Sequence, residues 1–207
     1  MLKRAFDILV SAAGLAILTP LLFLVAVWVK LDSPGPAFYR GVRIGRHGRP
    51  FRMFKFRSMV MGADRLGGAV TGRHDPRLTR AGRLLRKYKL DELPQLINVL
   101  AGDMSLVGPR PEVPEYVALY TGEERLILSV RPGITDYSSI EFSDHQQLVG
   151  DADPKAVFES TILPRKTALR LKYVRQQSFL NDLRILGRTA WVVLGKPLRR
   201  GKRPSLE

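Results

Sequence analysis

From Ile8 to Val29 the chain carries no charged side chain, and Thr19-Pro20 interrupts that run near its middle. A run this long matches the ~20 apolar residues that a membrane-spanning helix needs. The proline is the constraint, because it removes a backbone donor and bends or breaks a helix. At ~1.5 Å per residue, neither half alone crosses a ~30 Å hydrocarbon core. The flanks are basic on both sides, with Lys3 and Arg4 before the run and Lys30, Arg40, Arg43, Arg46 and Arg49 after it. A spanning helix concentrates Lys and Arg on its cytoplasmic side, so this symmetry predicts that both ends lie there. The expected element is a re-entrant helix, broken at Thr19 and Pro20, that dips into one leaflet and returns. A kinked span and a cleaved signal peptide are the alternatives. Asp7 is expected to pair locally with Lys3 or Arg4.

The rest of the chain is strongly basic: 34 Lys and Arg against 19 Asp and Glu give a net charge of +15 over 207 residues. Such a field calls for an anionic partner, whether nucleic acid, phospholipid headgroups or a phosphorylated substrate. No helix-turn-helix, zinc or RNA-binding pattern accompanies the charge, so nucleic acid is not expected. The absence of cysteine excludes a disulfide framework and thiolate metal sites. The length suits one main domain with an accessory segment, divided as a membrane helix over 1–35, a folded domain over 36–195 and a basic tail over 196–207.

Asp32-Ser33-Pro34-Gly35-Pro36 marks the exit from the apolar helix. Residues 37–44 and 51–59 then read as a hairpin, with the turn at Gly45 to Pro50. Phe54 and Phe56 are expected in the core, with Lys55 and Arg57 on the opposite face, spaced for a diphosphate or merely solvated. Gly41, Gly45 and Gly48 match no dinucleotide or P-loop fingerprint and read as turn residues. Residues 60–74 are glycine-rich and predict a mobile loop that closes on ligand. Thr79 is expected to cap a helix carrying Arg83 and Arg86 on one face. Between Arg40 and Lys89 there are 15 Lys and Arg, against Asp64 and Asp75 alone.

Asp91 and Glu92 follow the cations Arg83, Arg86, Lys87 and Lys89 and precede the helical pattern Leu93, Leu96, Ile97, Leu100. Asp91 is expected at the N-cap, Pro94 in the first turn and Gly102 just past the helix end. A helix start also holds phosphate, so the capping reading and the chemical one are compatible. Further on, Pro109 and Pro111 fix Arg110, and Arg131 stands beside Pro132-Gly133. A helix is expected over Val113 to Leu128, followed by helical spacing at Ala168, Leu171, Val174, Leu183, Leu186 and Ala190. Trp191 to Leu194, ahead of Lys196, Arg199, Arg200, Lys202 and Arg203, read either as an interfacial anchor or as a solvated tail. His47, His74 and His145 have no metal-ligand spacing and are expected at the surface.

Four segments in order, Phe51 to Met59, Lys89 to Leu96, Gly102 to Pro111 and Arg131 to Thr135, resemble the bacterial sugar transferases, the monotopic polyprenyl-phosphate phosphoglycosyl transferases. The chain is similar to the minimal members, built of a re-entrant helix and a catalytic domain. The resemblance implies an α+β (α/β-like) fold, with many helices around a small sheet and amphipathic helices at the interface. It implies a sugar 1-phosphate transfer from a nucleoside diphosphate sugar, commonly a UDP-sugar, to polyprenol phosphate. That would be the first membrane step of a surface glycan, on the cytoplasmic face of the bacterial inner membrane against an anionic phospholipid bilayer. It leaves a homodimer open.

Carried over, Asp91 is the nucleophile, and Asp91 with Glu92 forms the Mg2+ site, Glu92 also positioning the nucleophile or the lipid phosphate. Lys55, Arg86, Arg110 and Arg131 are the phosphate-binding candidates, with Arg57 and Arg83 less sharply marked. Asp182 matches an acidic position whose role is either catalytic or structural. The chain departs from the pattern at two places. Asp136-Tyr137-Ser138-Ser139 stands where many members have a Gly-Leu-Ala-Gln segment and an Asn-Gly-Arg turn, and Ala168-Leu169-Arg170 stands where Glu-Leu-Asp is usual. The resemblance therefore does not carry over a donor identity.

Overall fold

The computed structural model describes residues 1–67, 70–71, 75–143 and 153–195. A long helix α1 (Leu2–Asp32) leads into β1 (Phe38–Ile44), β2 (Pro50–Phe56), α2 (Ala63–Leu66), α3 (Arg80–Lys87), α4 (Gln95–Ala101) and β3 (Ser105–Val107). After these come α5 (Pro114–Val117), β4 (Gly133–Thr135), α6 (Tyr137–Glu141), α7 (Pro154–Val157), α8 (Leu163–Arg175) and α9 (Phe179–Gly195). Helices surround two two-stranded sheets, so the α+β expectation holds. β1 and β2 form the expected antiparallel hairpin, with Phe38 opposite Phe56 and Ile44 opposite Pro50. β3 and β4 are parallel, with Ser105 opposite Gly133 and Val107 opposite Thr135. A Cβ on Gly133 would lie 2.0 Å from the Gly108 nitrogen, so only glycine lets the two backbones approach this closely.

α1 stays helical through Pro20 instead of breaking at Thr19 and Pro20. Pro20 removes a single donor, the turns on either side keep their own bonds, and the Thr19 hydroxyl donates to the Leu15 carbonyl at 2.7 Å. The buried residues Asp7, Ser11, Val25 and Val29 share one stripe along the helix. Both ends of α1 therefore rest on the same folded body. At the start, Lys3 Nζ donates to the Val107 carbonyl at 2.9 Å, and Arg4 Nη1 donates to the Val99 carbonyl at 2.7 Å. Asp7 does not pair with these neighbours. It is buried and accepts from Ser105 Oγ at 2.8 Å and the Leu106 N–H at 3.1 Å, so β3 satisfies the charge that water no longer reaches. At the far end Val25 and Val29 pack with Phe56, Ala81 and Leu85, and Asp32 accepts from the Ala81 N–H at 2.9 Å. The outward face, with Leu9, Ile17, Phe23, Leu24 and Leu31, is exposed.

The main core comprises Met53, Val99, Met104, Leu106, Val107, Tyr173 and Ile185. Met53, on the Lys55 side of β2, is thus a core residue, as is Phe56 on the other side. Phe54 is only half-buried, beneath the Arg40 guanidinium 4.4 Å from its ring centre. Asn98 ties α4 to this hairpin, accepting from the Phe54 N–H at 2.8 Å and donating to the Arg52 carbonyl at 2.9 Å. The helix expected over Val113 to Leu128 is two pieces. α5 ends at Val117, and a 3-10 helix over Gly122–Ser129 restarts behind Thr121, whose capping box with Glu124 satisfies the new helix start. His47 is exposed as expected, whereas His74, His145, part of the 60–74 loop and the basic tail from Lys196 lie outside the described residues.

Candidate active site

Asp91 and Glu92 lie in a single 3-10 turn, Leu90–Glu92, set up by Lys89 in the left-handed region (φ 59) and running directly into α4. Asp91 is not the N-cap; Pro94 holds that position without a side-chain cap. The two groups that Asp91 would cap are withheld from it. The Leu93 N–H is committed to the Leu90 carbonyl at 3.3 Å, and Pro94 has no N–H to give. Asp91 Oδ1 is left buried without a hydrogen-bond partner. Gly102, at φ 92, closes α4 as its sequence position predicts.

Glu92 is held differently. Lys55 reaches across from β2 to its Oε1 at 2.8 Å, and Arg110 Nη2 donates to the same oxygen. Arg110 is itself fixed by the Ile134 carbonyl, which accepts from Nη1 at 2.9 Å, and by Asp136, which accepts from its backbone N–H at 3.2 Å. Asp136 is the N-cap of α6 and also accepts from the Ser139 N–H at 2.7 Å and the Ser138 hydroxyl. The Asp-x-x-Ser pattern that departs from the family motif is therefore a local cap that aims Arg110. Arg86, on α3, donates from Nε to Ser58 Oγ at 3.1 Å, and its Nη1 is buried without a partner.

These environments push the two carboxyls apart. Burial, then the adjacent Glu92 charge, raise Asp91 above the ordinary aspartate value against the pull of Lys55 and Arg86. Burial alone would raise Glu92 too, but Arg110 and Lys55 outweigh it and hold Glu92 well below the usual carboxylate range. Burial lowers Lys55, partly offset by Glu92. All five side chains, Asp91, Glu92, Lys55, Arg86 and Arg110, line one cavity of about 550 Å3. One acid is neutralised and the other is left with an unengaged oxygen beside guanidinium groups.

The remaining candidates lie elsewhere. Arg57 is buried, and its guanidinium donates to the Ser33 carbonyl at 2.7 Å, the Val29 carbonyl at 3.2 Å and the Pro34 carbonyl, closing the C-terminal end of α1. It follows the last residue of β2, so the alternation that would place it beside Lys55 has stopped. Arg83 is exposed and does not line the cavity, because α3 turns Arg86 inward and Arg83 out. Arg131 Nε donates to the Gly102 carbonyl at 2.9 Å and serves the end of α4. Asp182 is buried and accepts from Lys3 Nζ at 2.6 Å and the Tyr173 hydroxyl at 2.7 Å, joining α1, α8 and α9. It does not line the cavity.

Sequence reasoning missed the far end of the cavity, where Arg43, Glu112 and the pair Lys166 and Arg170 on α8 converge from three distant stretches of chain. The change from Glu-Leu-Asp to Ala168-Leu169-Arg170 was the one visible signal. As for a metal, no group of three or more His, Asp or Glu side chains converges among the described residues. Magnesium needs only one or two carboxylates when substrate phosphates supply the other oxygens, and the unengaged Asp91 oxygen beside Glu92 fits that donor set.

The family model described as bacterial sugar transferase matches residues 1–196. The chain belongs to the bacterial sugar transferase family. It is 42% identical over 191 residues to an undecaprenyl-phosphate glucose phosphotransferase of Komagataeibacter xylinus, covering 89% of this chain and 34% of that protein. It is 40% identical over 155 residues to a putative undecaprenyl-phosphate N-acetylgalactosaminyl 1-phosphate transferase of Bacillus subtilis, covering 75% and 81%. A UDP-glucose:undecaprenyl-phosphate glucose-1-phosphate transferase of Caulobacter vibrioides is 38% identical over 198 residues, covering 90% and 67%. This bacterial sugar transferase thus spans 34% of the length of the first of these relatives and most of the second. Its match begins at residue 1 and so takes in α1 together with the cavity.

Proposed function

We propose that this protein transfers a sugar 1-phosphate from a UDP-sugar to polyprenol phosphate through a covalent intermediate on Asp91. The observation that carries this reading is the division of labour between the paired acids: Glu92 is engaged by Lys55 and Arg110, while Asp91 Oδ1 is unpartnered in the wall of the same cavity. An ionised carboxylate near its ordinary pKa is a weak nucleophile. Burial makes Asp91 more basic and less solvated, and so better suited to attack phosphorus. Asp91 attacks the β-phosphate, the bond from that phosphorus to the bridging oxygen breaks, and UMP leaves. The phosphate of polyprenol phosphate then attacks the aspartyl phosphosugar and frees Asp91.

Arg86 and Arg110 offset the negative charge that builds up on the phosphoryl oxygens, and Lys55 holds Glu92 in place. Asp91 and Glu92 are the residues that would hold Mg2+, which when bound offsets the repulsion between carboxylate and diphosphate. The exposed apolar face of α1 supports a bilayer as the site of the reaction, since apolar side chains in this number are not stable facing water. The docking of both ends of α1 on one body supports a helix that stays on one side of the bilayer, and in this reading that side is the cytoplasmic leaflet of the inner membrane.

The test is release of UMP from a panel of UDP-sugars by the purified protein with Mg2+ and undecaprenyl phosphate. Release that falls by about a thousandfold or more in Asp91→Asn is the expected result. No release from any donor overturns the reading.

A further inference from the structure

The described part of the cavity holds more cations than the chemistry at Asp91 uses. Away from Asp91, Arg170 lines the wall at 1% exposure, with one guanidinium nitrogen donating to Glu112 at 2.6 Å. Its Nε and Nη1 are buried and make no hydrogen bond. A buried guanidinium with two unsatisfied donors is costly unless something in the cavity accepts from them. Lys166 lies beside it, its ammonium 5.1 Å from the Phe158 ring centre and 5.7 Å from that of Phe142. Arg43 lines the same wall. All three cations are in reach of Glu112, with Glu115 also acting on Arg43 and Tyr120 on Arg170, while Asp136, the other acid in reach of Lys166, is already taken up by Arg110, Ser138 and Ser139. Burial, then repulsion from Arg170, push Lys166 down to about 8, while Glu112, Tyr120 and Asp136 outweigh burial and hold Arg170 above the ordinary guanidinium value.

We infer that Arg43, Lys166 and Arg170 form a second anion subsite, which takes a phosphate or carboxylate of the donor other than the phosphoryl group attacked by Asp91. Arg110 separates the two ends, holding Glu92 on one side and standing close to Arg43 and Lys166 on the other. The inference rests on reading the cavity as a donor site. The anion has two sources: the phosphate adjoining the ribose, or an acidic group on the transferred sugar.

Binding to the full-length Asp91→Asn protein, which cannot turn over, separates them. UMP, UDP-glucose and UDP-glucuronate are titrated with and without Lys166→Gln, and with the pair Arg170→Gln and Glu112→Gln, which removes the guanidinium together with the carboxylate bonded to it. A loss of roughly tenfold for all three ligands, the worth of one charge-assisted hydrogen bond, assigns the subsite to the nucleotide phosphate. A similar loss confined to UDP-glucuronate assigns it to a sugar carboxylate. Changes under about twofold for every ligand, in variants that unfold at the parental temperature, overturn the subsite and leave the donor reading intact. If no nucleotide binds, the donor reading fails, and inorganic phosphate decides the subsite: a thermal upshift lost in Lys166→Gln keeps it, and no upshift removes it.

Discussion

At the scale of single residues, neighbouring acids of like chemistry are made unlike by where their partners come from. Lys55 arrives from β2 and Arg110 from the segment after β3, and both settle on Glu92. Because Glu92 is more acidic in the fold than an ordinary glutamate at 4.5, it contributes stability above pH 4.5, and that contribution drains away as pH falls below 4.5. Melting temperature followed from pH 7 downward should fall more steeply for the parent than for Glu92→Gln below that point. Parallel curves would mean that the two cations do not hold Glu92. Asp182 gives a contrasting prediction. Asp182→Asn weakens the bond from Lys3 and the acceptor for Tyr173, at a cost of roughly 1–3 kcal/mol of stability. UMP release per folded molecule should stay near parental, and a selective loss of turnover with unchanged melting would return Asp182 to the catalytic group.

At the scale of elements, charged side chains close helix ends. Arg4 donates to carbonyls at the end of α4, Asp32 accepts from the first turn of α3, and Arg57 closes the end of α1. Helix termini leave four unsatisfied groups each, and buried termini cannot turn to water for them. Arg57→Ala strips three carbonyls of their donor and should cost roughly 2–4 kcal/mol, read as a lower midpoint of thermal unfolding in detergent. If stability survives, the guanidinium has another task, and the original expectation of a phosphate contact regains its standing.

For the molecule as a whole, the decisive relation is between α1 and the body beneath it. Val25 and Val29 complete a core cluster with Phe56 and α3, while Lys3 and Asp7 fasten the other end to β3 and α9. Under the proposed function, a helix pinned at both ends to one body presents its apolar face sideways to the bilayer instead of crossing it. The chain has no cysteine, so single cysteines report cleanly on this. Leu2→Cys and Met61→Cys, tested separately in intact and opened spheroplasts with an impermeant maleimide, should both label only after opening. Labelling of position 2 alone in intact spheroplasts would show that α1 spans.

Local chemistry in the sequence was enough for the apolar helix, the β1–β2 hairpin, the Gly102 terminus and the pairing of Asp91 with Glu92, because each depends on residues close together in the chain. The family resemblance, not local chemistry, singled out Lys55, Arg86 and Arg110, and these three line the cavity with the two acids. Tertiary structure alone decided that Arg57 and Arg131 serve helix ends, that Asp7 and Asp182 fasten α1, and that Arg43, Lys166 and Arg170 meet in the cavity wall. An arginine's donors suit a carbonyl as well as a phosphate. Which of them it finds depends on what long-range packing places beside it, and no spacing along the chain encodes that.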